Sequence, residues 1–519
     1  MTTPSRRAAA TIAVAALLEP LAACTPTDTA PPTGTDGALI AFHEQELDWE
    51  ACEGHTTTSV ESEILALAST AECARLAVPL DYDDPAGDEA SIAVVRIPAR
   101  GEAVAPLVTN PGGPGGTGIM TAALMTLSLP DSEITERFDI VGFDPRGVGA
   151  SVPAASCMTD AEADDGSVRT SSIDGTTAWT PETTRDLLER CADGVGGAEV
   201  LPHLGTRDAA RDMDVLRAAL GQEQLTYLGQ SYGSRLGAVY AEQFPDRVRA
   251  MVLDGAGDPT AGTIERRIQA YAGFQGAFEE FTAWCTSLAD CPLGTDPAAA
   301  LERYHAIVRP LLDAPVPALG RELTFDDAIG GLISGLYSQA AWPRMSAGLA
   351  ELRNGAGDEL LQLGRDFVGR APGGEWPSFT SSNLVIDCMD EQRFDADQAQ
   401  DLREAIHEAA PFMDPGIEVP GARDACEQWP AEPSLGIPYA QDVVGLPTTL
   451  VVSITGDPTT PHAGAVVMAE SLGSALLTVE GVGHTTIMGG TTPCADAIVA
   501  RYLVDLEAPA DGATCRLGQ

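Results

Sequence analysis

The sequence predicts an α/β protein, a mostly parallel sheet with helices on both faces, interrupted by a large, mainly helical insertion. Three observations carry this. Through the first half, short apolar runs bounded by turn residues alternate with helical patterns. From Asp258 to about Pro438 the alternation stops, and helical stretches such as ERRIQAYAGFQGAFEEFTAWC dominate. Near the C-terminus it resumes with two more strand-like runs. At 519 residues and 44% hydrophobic, the chain can bury a substantial core.

The first 23 residues read as an export signal: Arg6 and Arg7, an apolar run from Ala8 to Leu18 too short to span a bilayer, then Leu21-Ala22-Ala23-Cys24. That tetrapeptide resembles a bacterial lipobox, which marks Cys24 for lipidation after cleavage. Residues 24–40, rich in Pro, Thr and Gly, read as a flexible tether. The expected organisation is then a first core segment at 41–257, the helical cap at 258–438 and a second core segment at 439–519.

Strand-like runs follow in order: Ser91 to Ala99, Ala105 to Asn110, Phe138 to Asp144, Leu225 to Gln230 and Arg249 to Gly255, then Thr448 to Asp457 and Ala475 to His484. Between Thr206 and Gly221, Ala210, Met213, Leu216 and Leu220 fall at helical spacing, and a second helical pattern starts directly after Ser231.

Gly229-Gln230-Ser231-Tyr232-Gly233 lies at that strand-to-helix junction. A Gly-x-Ser-x-Gly pentad in this context is a nucleophile elbow, because the glycines permit the tight turn that exposes the hydroxyl. After the earlier strand Ala105 to Asn110 comes NPGGPGGTG, whose backbone N–H groups can face a developing oxyanion. Gly112 and Gly113 are its candidate donors, together with the N–H of Tyr232. A phosphate cradle would need a lysine, and the chain has none. The serine needs a base and the base an orienting acid. His484 follows a terminal strand, with His462 as its near rival; Asp457 ends the strand before it, with Asp254 as its rival. Strand-end acid followed by strand-end histidine favours Asp457 and His484, giving the order Ser, Asp, His found in α/β-hydrolases.

Ten cysteines besides Cys24 fall in five close sequential pairs without a Cys-x-x-Cys spacing. They read as disulfides made in an oxidising compartment: Cys52 with Cys73, Cys157 with Cys191, Cys285 with Cys291, Cys388 with Cys426, and Cys494 with Cys515. A formal charge of −46, from 76 acidic and 30 basic residues, disfavours nucleic acid as a partner. No metal or organic cofactor is indicated, and contact with a membrane is expected only through the lipid at Cys24.

NPGGPGGTG, DIVGFDPRGVGAS, GQSYGSRLGAVYAEQFPDRV, TGDPTTP and the terminal GVGHTT with its following cysteine together resemble the secreted actinobacterial tripeptidyl aminopeptidases, relatives of proline iminopeptidase within the α/β-hydrolases. The resemblance runs from about Trp49 to Cys515. It implies an extracytoplasmic serine exopeptidase, lipid-anchored or secreted, that releases short peptides from free N-termini, with Ser231, Asp457 and His484 as its triad.

Such an enzyme must hold a protonated α-amine, which calls for cap carboxylates. Glu265, Glu279, Glu280, Asp326, Asp327, Asp387 and Asp390 are available, and the stretch NLVIDCMD around Cys388 is the first to examine. Arg146, in DPRG, reads as a buried brace for loops near the oxyanion strand rather than a substrate ligand. Two other functions remain open: a carboxylesterase or lipase using the same triad, and a non-catalytic peptide-binding surface lipoprotein.

Overall fold

The computed structural model describes residues 35–487 and 489–519. Its strands are β1 (Glu72–Pro79), β2 (Glu89–Ile97), β3 (Ala105–Asn110), β4 (Phe138–Phe143), β5 (Leu225–Gln230), β6 (Val248–Asp254), β7 (Val316–Ala318), β8 (Arg321–Leu323), β9 (Leu450–Gly456), β10 (Ala475–Val482) and β11 (Thr514–Arg516). Nine form one sheet in the order β1-β2-β4-β3-β5-β6-β9-β10-β11, and β7 with β8 makes a separate hairpin. β2 is antiparallel to both β1 and β4, and from β4 onward every neighbouring pair is parallel.

The central strands are continuous apolar runs because both faces are covered. On one face the helices Thr206–Ala219, Tyr232–Gln243 and His462–Leu472 bring Met213, Leu236 and Met468 onto Tyr227 and Leu253. On the other, Gly118–Ser128 and Pro493–Asp505 bring Ile119 and Val499 onto Leu228 and Val252. β3 lies between β4 and β5, so the connections leave it in opposite directions. The carboxyl ends of β3 and β5 therefore border the crevice where open α/β sheets bind ligands.

The strands read from sequence at 105–110 and 225–230 match in full, and that at 249–255 begins one residue earlier. β10 ends at Val482, which leaves His484 on the loop beyond it. The edge strands β1 and β11 were not anticipated. β1 carries the buried Cys73 and the exposed Arg75 among its apolar residues. β11 is three residues long and is tied by the Cys494–Cys515 disulfide. All five disulfides join the sequential neighbours.

Between β6 and β9 the chain is helical apart from loops and the β7–β8 hairpin, with a core of its own around Phe278, Phe281, Tyr304, Trp342 and Phe412. A second segment joins it. Trp179, Leu187 and Cys191, which precede β5, pack with Leu384, Val385 and Trp429 rather than on the sheet.

The expected signal peptide and Cys24 lie outside the described residues. So does the tether up to residue 34; from Thr35 the chain forms a helix, Thr35–His43. Its Phe42 is buried in the core, and His43 Nε2 lies 3.1 Å from Asp214 Oδ2. The apolar run ALIAF explains why the tether ends early.

Candidate active site

β5 runs straight into Ser231, whose φ of 54° and ψ of −123° place it outside the ordinary regions for a residue with a side chain. The helix Tyr232–Gln243 begins at the next residue. The turn is held from below: Ser231 N–H donates to Asp254 O at 2.8 Å, and Ser234 N–H returns to Ser231 O at 2.8 Å. At Gly233 an added Cβ would stand 2.6 Å from Asn110 O, so only glycine lets the helix start this close to the end of β3.

Gly112 has φ +95°, and an added Cβ there would meet Gln230 O at 2.5 Å, Ser231 Cβ at 2.8 Å and Tyr232 N at 2.9 Å. The glycine loop thus lies directly against the elbow. Its donors differ from the expectation in one respect. Gly112 N–H is taken by Asn110 Oδ1 at 3.0 Å, an Asx turn that removes it as a donor. Gly113, which borders the same cavity as Ser231 and Tyr232, leaves its own N–H and that of Tyr232 as the available pair among the described residues.

His484 Nδ1 lies 2.9 Å from both carboxylate oxygens of Asp457. Asp457 is buried, and its Oδ1 also accepts the N–H groups of Thr459 and Thr460 at 3.1 and 2.8 Å. Thr460 Oγ1 stands 3.3 Å from the same imidazole nitrogen. Nδ1 is therefore fixed as the donor side, which turns Nε2 away from the acid. Among the described residues neither Nε2 nor Ser231 Oγ has a hydrogen-bond partner, an open arrangement common in sites without substrate.

The rivals are placed elsewhere. His462 begins a helix with Nδ1 3.0 Å from Ser453 Oγ. Asp254 is fully buried, and its Oδ2 accepts the N–H groups of Thr486 and Ile487 at 2.8 Å and Gln230 Nε2 at 3.2 Å. It ties the histidine loop to the elbow, and burial raises its carboxyl to about 6.

Two adjoining cavities lie at the site, and the first reaches the serine. The first, about 100 Å³, is bordered by Ser231, Gly113, Arg235 and Tyr439; the second, about 450 Å³, by Asp174, Tyr271, Phe274, Tyr337 and Leu384. Arg266, Asp387 and Thr459 line both. Of the carboxylates considered from sequence, Glu265, Glu279 and Glu280 are exposed on one helix. Asp326 bonds to Thr176 and Thr177, while Asp327 pairs with Arg321 and caps its own helix. Asp390 is buried against Thr206.

Asp387 remains, facing both cavities with no hydrogen bond or ion pair among the described residues. Burial, then the charge of Glu391, pushes its carboxyl above the usual range, against Arg235, Arg266 and Arg267. Glu391, which sequence reasoning missed, is buried and pairs with Arg266, with Arg267 at 3.2 Å and with Arg235 at 3.5 Å. Those three guanidiniums hold it below the carboxylate range despite its burial. The available signal was its position one residue after Asp390. Arg235 was equally legible in principle, one helical turn beyond Ser231.

Arg146 is fully buried; its guanidinium pairs with Asp212 at 2.7 Å and donates to the carbonyls of Pro79, Leu80 and His203. It braces loops and does not border the cavities.

A strained serine beside two free N–H groups, with a carboxylate-held imidazole on the neighbouring loop, is an arrangement for nucleophilic acyl transfer. The family model described as the alpha/beta hydrolase fold matches residues 105–491. The chain is 41% identical over 484 residues to Serine protease Hip1 of Mycobacterium tuberculosis (strain ATCC 25618 / H37Rv), with 91% of each chain covered. It is 39% identical over 490 residues to Carboxylesterase B of the same organism, covering 93% of this chain and 92% of the relative. To Tripeptidyl aminopeptidase of Streptomyces lividans it is 30% identical over 492 residues, covering 90% and 86%. Sequence, fold and site agree that this chain belongs to the α/β-hydrolase family, as a serine hydrolase of the group that includes the tripeptidyl aminopeptidases.

Proposed function

We propose that this protein is an extracytoplasmic serine exopeptidase that releases short peptides, tripeptides foremost, from free N-termini. The observation that carries the reading is Asp387: a carboxylate without a partner among the described residues, at the junction of two cavities, one of which holds Ser231. A substrate amine bound there leaves the first cavity for the residues next to the scissile bond and the second for the remaining side chains.

Ser231 Oγ attacks the scissile carbonyl while His484 Nε2 takes its proton, and Asp457 stabilises the resulting imidazolium. The carbonyl oxygen, now negative, accepts from the N–H groups of Gly113 and Tyr232. Collapse breaks the C–N bond, with His484 returning the proton to the leaving amine. Water then adds to the acyl-enzyme by the same route, releasing the short peptide and restoring Ser231. The reading includes export through residues 1–23 and lipid attachment at Cys24, in keeping with the five disulfides.

The test is hydrolysis of chromogenic tripeptide amides by the mature protein and its Ser231→Ala variant, beside N-acetylated peptides and short acyl esters. Free-amine peptides are expected to be cleaved, and the variant to be inactive. Turnover of esters alone would replace this reading with the carboxylesterase named among the relatives. Peptide binding without turnover of any substrate would leave a binding protein.

A further inference from the structure

Tyr337 follows the cap helix Phe325–Leu336 and meets the histidine loop at several points. Its carbonyl accepts the His484 N–H at 3.0 Å, and the next residue, Ser338, forms a backbone bridge with Gly483. Its ring stands edge-to-face with the imidazole, centroids 5.4 Å apart and planes at 81°. Its hydroxyl lies against Thr459, whose own N–H donates to Asp457 Oδ1. Behind, the ring packs on Phe274 and Phe367 at 5.4 and 4.6 Å, and it forms part of the wall of the larger cavity.

The rest of the loop explains why such a support matters. Gly483 and Thr485 both have positive φ, and the Asp254 bonds hold only the far side, at Thr486 and Ile487. An imidazole bonded through Nδ1 alone can still tilt about that bond, and an error of about 1 Å in a reacting group costs on the order of 10²-fold in rate.

We propose that Tyr337 is a positioning residue that couples filling of the larger cavity to the orientation of the His484 imidazole. Substrates long enough to reach that wall are then turned over faster than short acyl groups. The inference rests on the Ser231, Asp457 and His484 reading above.

The test compares Tyr337→Leu and Tyr337→Phe with the unaltered protein in three assays: a tripeptide amide, a short acyl ester, and phosphonylation of Ser231 by a small fluorophosphonate. The leucine variant is expected to lose about tenfold in phosphonylation rate and more, on the order of 10²-fold, in peptide kcat, and phenylalanine to restore both to within about threefold. The ratio of peptide to ester kcat should also collapse in the leucine variant. If it fails to fold, Phe367→Leu, at a partly exposed position behind the ring, carries the same expectation at smaller amplitude. A rise in peptide KM alone, with kcat and phosphonylation unchanged, would make Tyr337 only a wall and overturn the proposal. If Ser231 of the unaltered protein resists the fluorophosphonate, the triad reading falls and this inference with it. Phosphonylation that depends on Tyr337 without tripeptide cleavage would keep the positioning role and remove the exopeptidase.

Discussion

Asp457 is buried behind His484 whereas Asp387 borders both cavities, and their surroundings suit them to different tasks. Asp457 is saturated by two backbone N–H groups and His484, which suits it to the orienting charge proposed for it. Asp457→Asn is expected to lower kcat by roughly 10⁴-fold with little change in KM, because the amide favours the wrong imidazole tautomer. Asp387 has no such partners among the described residues. If it anchors the substrate amine, Asp387→Asn should raise KM for free-amine tripeptides by about 10- to 100-fold, the range of a charge-assisted bond, and leave ester KM unchanged. The pH dependence follows from the same group. Below its raised titration range the carboxyl is neutral and cannot pair with an ammonium, so peptide KM should fall as pH rises from about 5 to about 7. In the asparagine variant that trend should be absent, as steady-state KM profiles would show. At this scale the three residues of the proposed triad were legible in the sequence because each follows a strand. Asp387 was legible only as one acid among seven, since choosing it requires knowing which of the others are already bonded.

The elements bring these residues together through two strand ends. β3 and β5 pair from Leu107 with Thr226 to Asn110 with Gly229, so the oxyanion loop and the elbow leave the sheet side by side. Gly112 is where they touch. Gly112→Ala would place a Cβ against Gln230 O and Ser231 Cβ at a positive φ, forcing the loop away from the elbow. The expected result is a cost of about 1–3 kcal/mol in stability, by denaturant unfolding, and a fall in kcat as Gly113 N–H leaves the oxyanion position. Local patterns revealed these strands because burial on both faces writes a continuous apolar run. β1 pairs with the next strand, β2, but the exposed Arg75 interrupts its apolar run, and β11 is only three residues long, so neither carried a comparable signal. The packing of Trp179 and Leu187 with the cap helix Phe379–Asp390 had no signature either: it is decided by tertiary contacts and by Cys157–Cys191 and Cys388–Cys426.

Across the whole molecule, the excess of 76 acidic over 30 basic residues and the buried carboxyls act in the same direction with pH. Burial raises Asp144 to about 7, and Asp254 and Asp496 to about 6. Each holds its proton in the folded chain at pH values where the unfolded chain has released it. The stability such a group contributes is present in full below its unfolded value, near 4, and is lost as pH rises through its folded value. Ionisation of the acidic surface adds self-repulsion over part of the same range. Asp214 works the other way, held low by His43, Arg217 and Arg247 despite its burial, and its own ionisation is complete in both states above about pH 4; the His43 imidazole that it raises loses its pairing as pH rises, which acts in the same direction as the buried carboxyls. The melting temperature is therefore expected to be higher near pH 5.5 than near pH 8, about the two ends of the interval in which the raised carboxyls titrate. Raising the salt from about 0.01 M to about 0.15 M should narrow the difference without abolishing it, because the surface repulsion is screened and the buried terms are not. Scanning calorimetry at the two pH values and two salt concentrations separates these contributions. A melting temperature that rose from pH 5.5 to 8 would overturn this account, because the lowered carboxylates, Asp214 and Glu391 among them, are ionised in both states throughout that interval and cannot produce the rise.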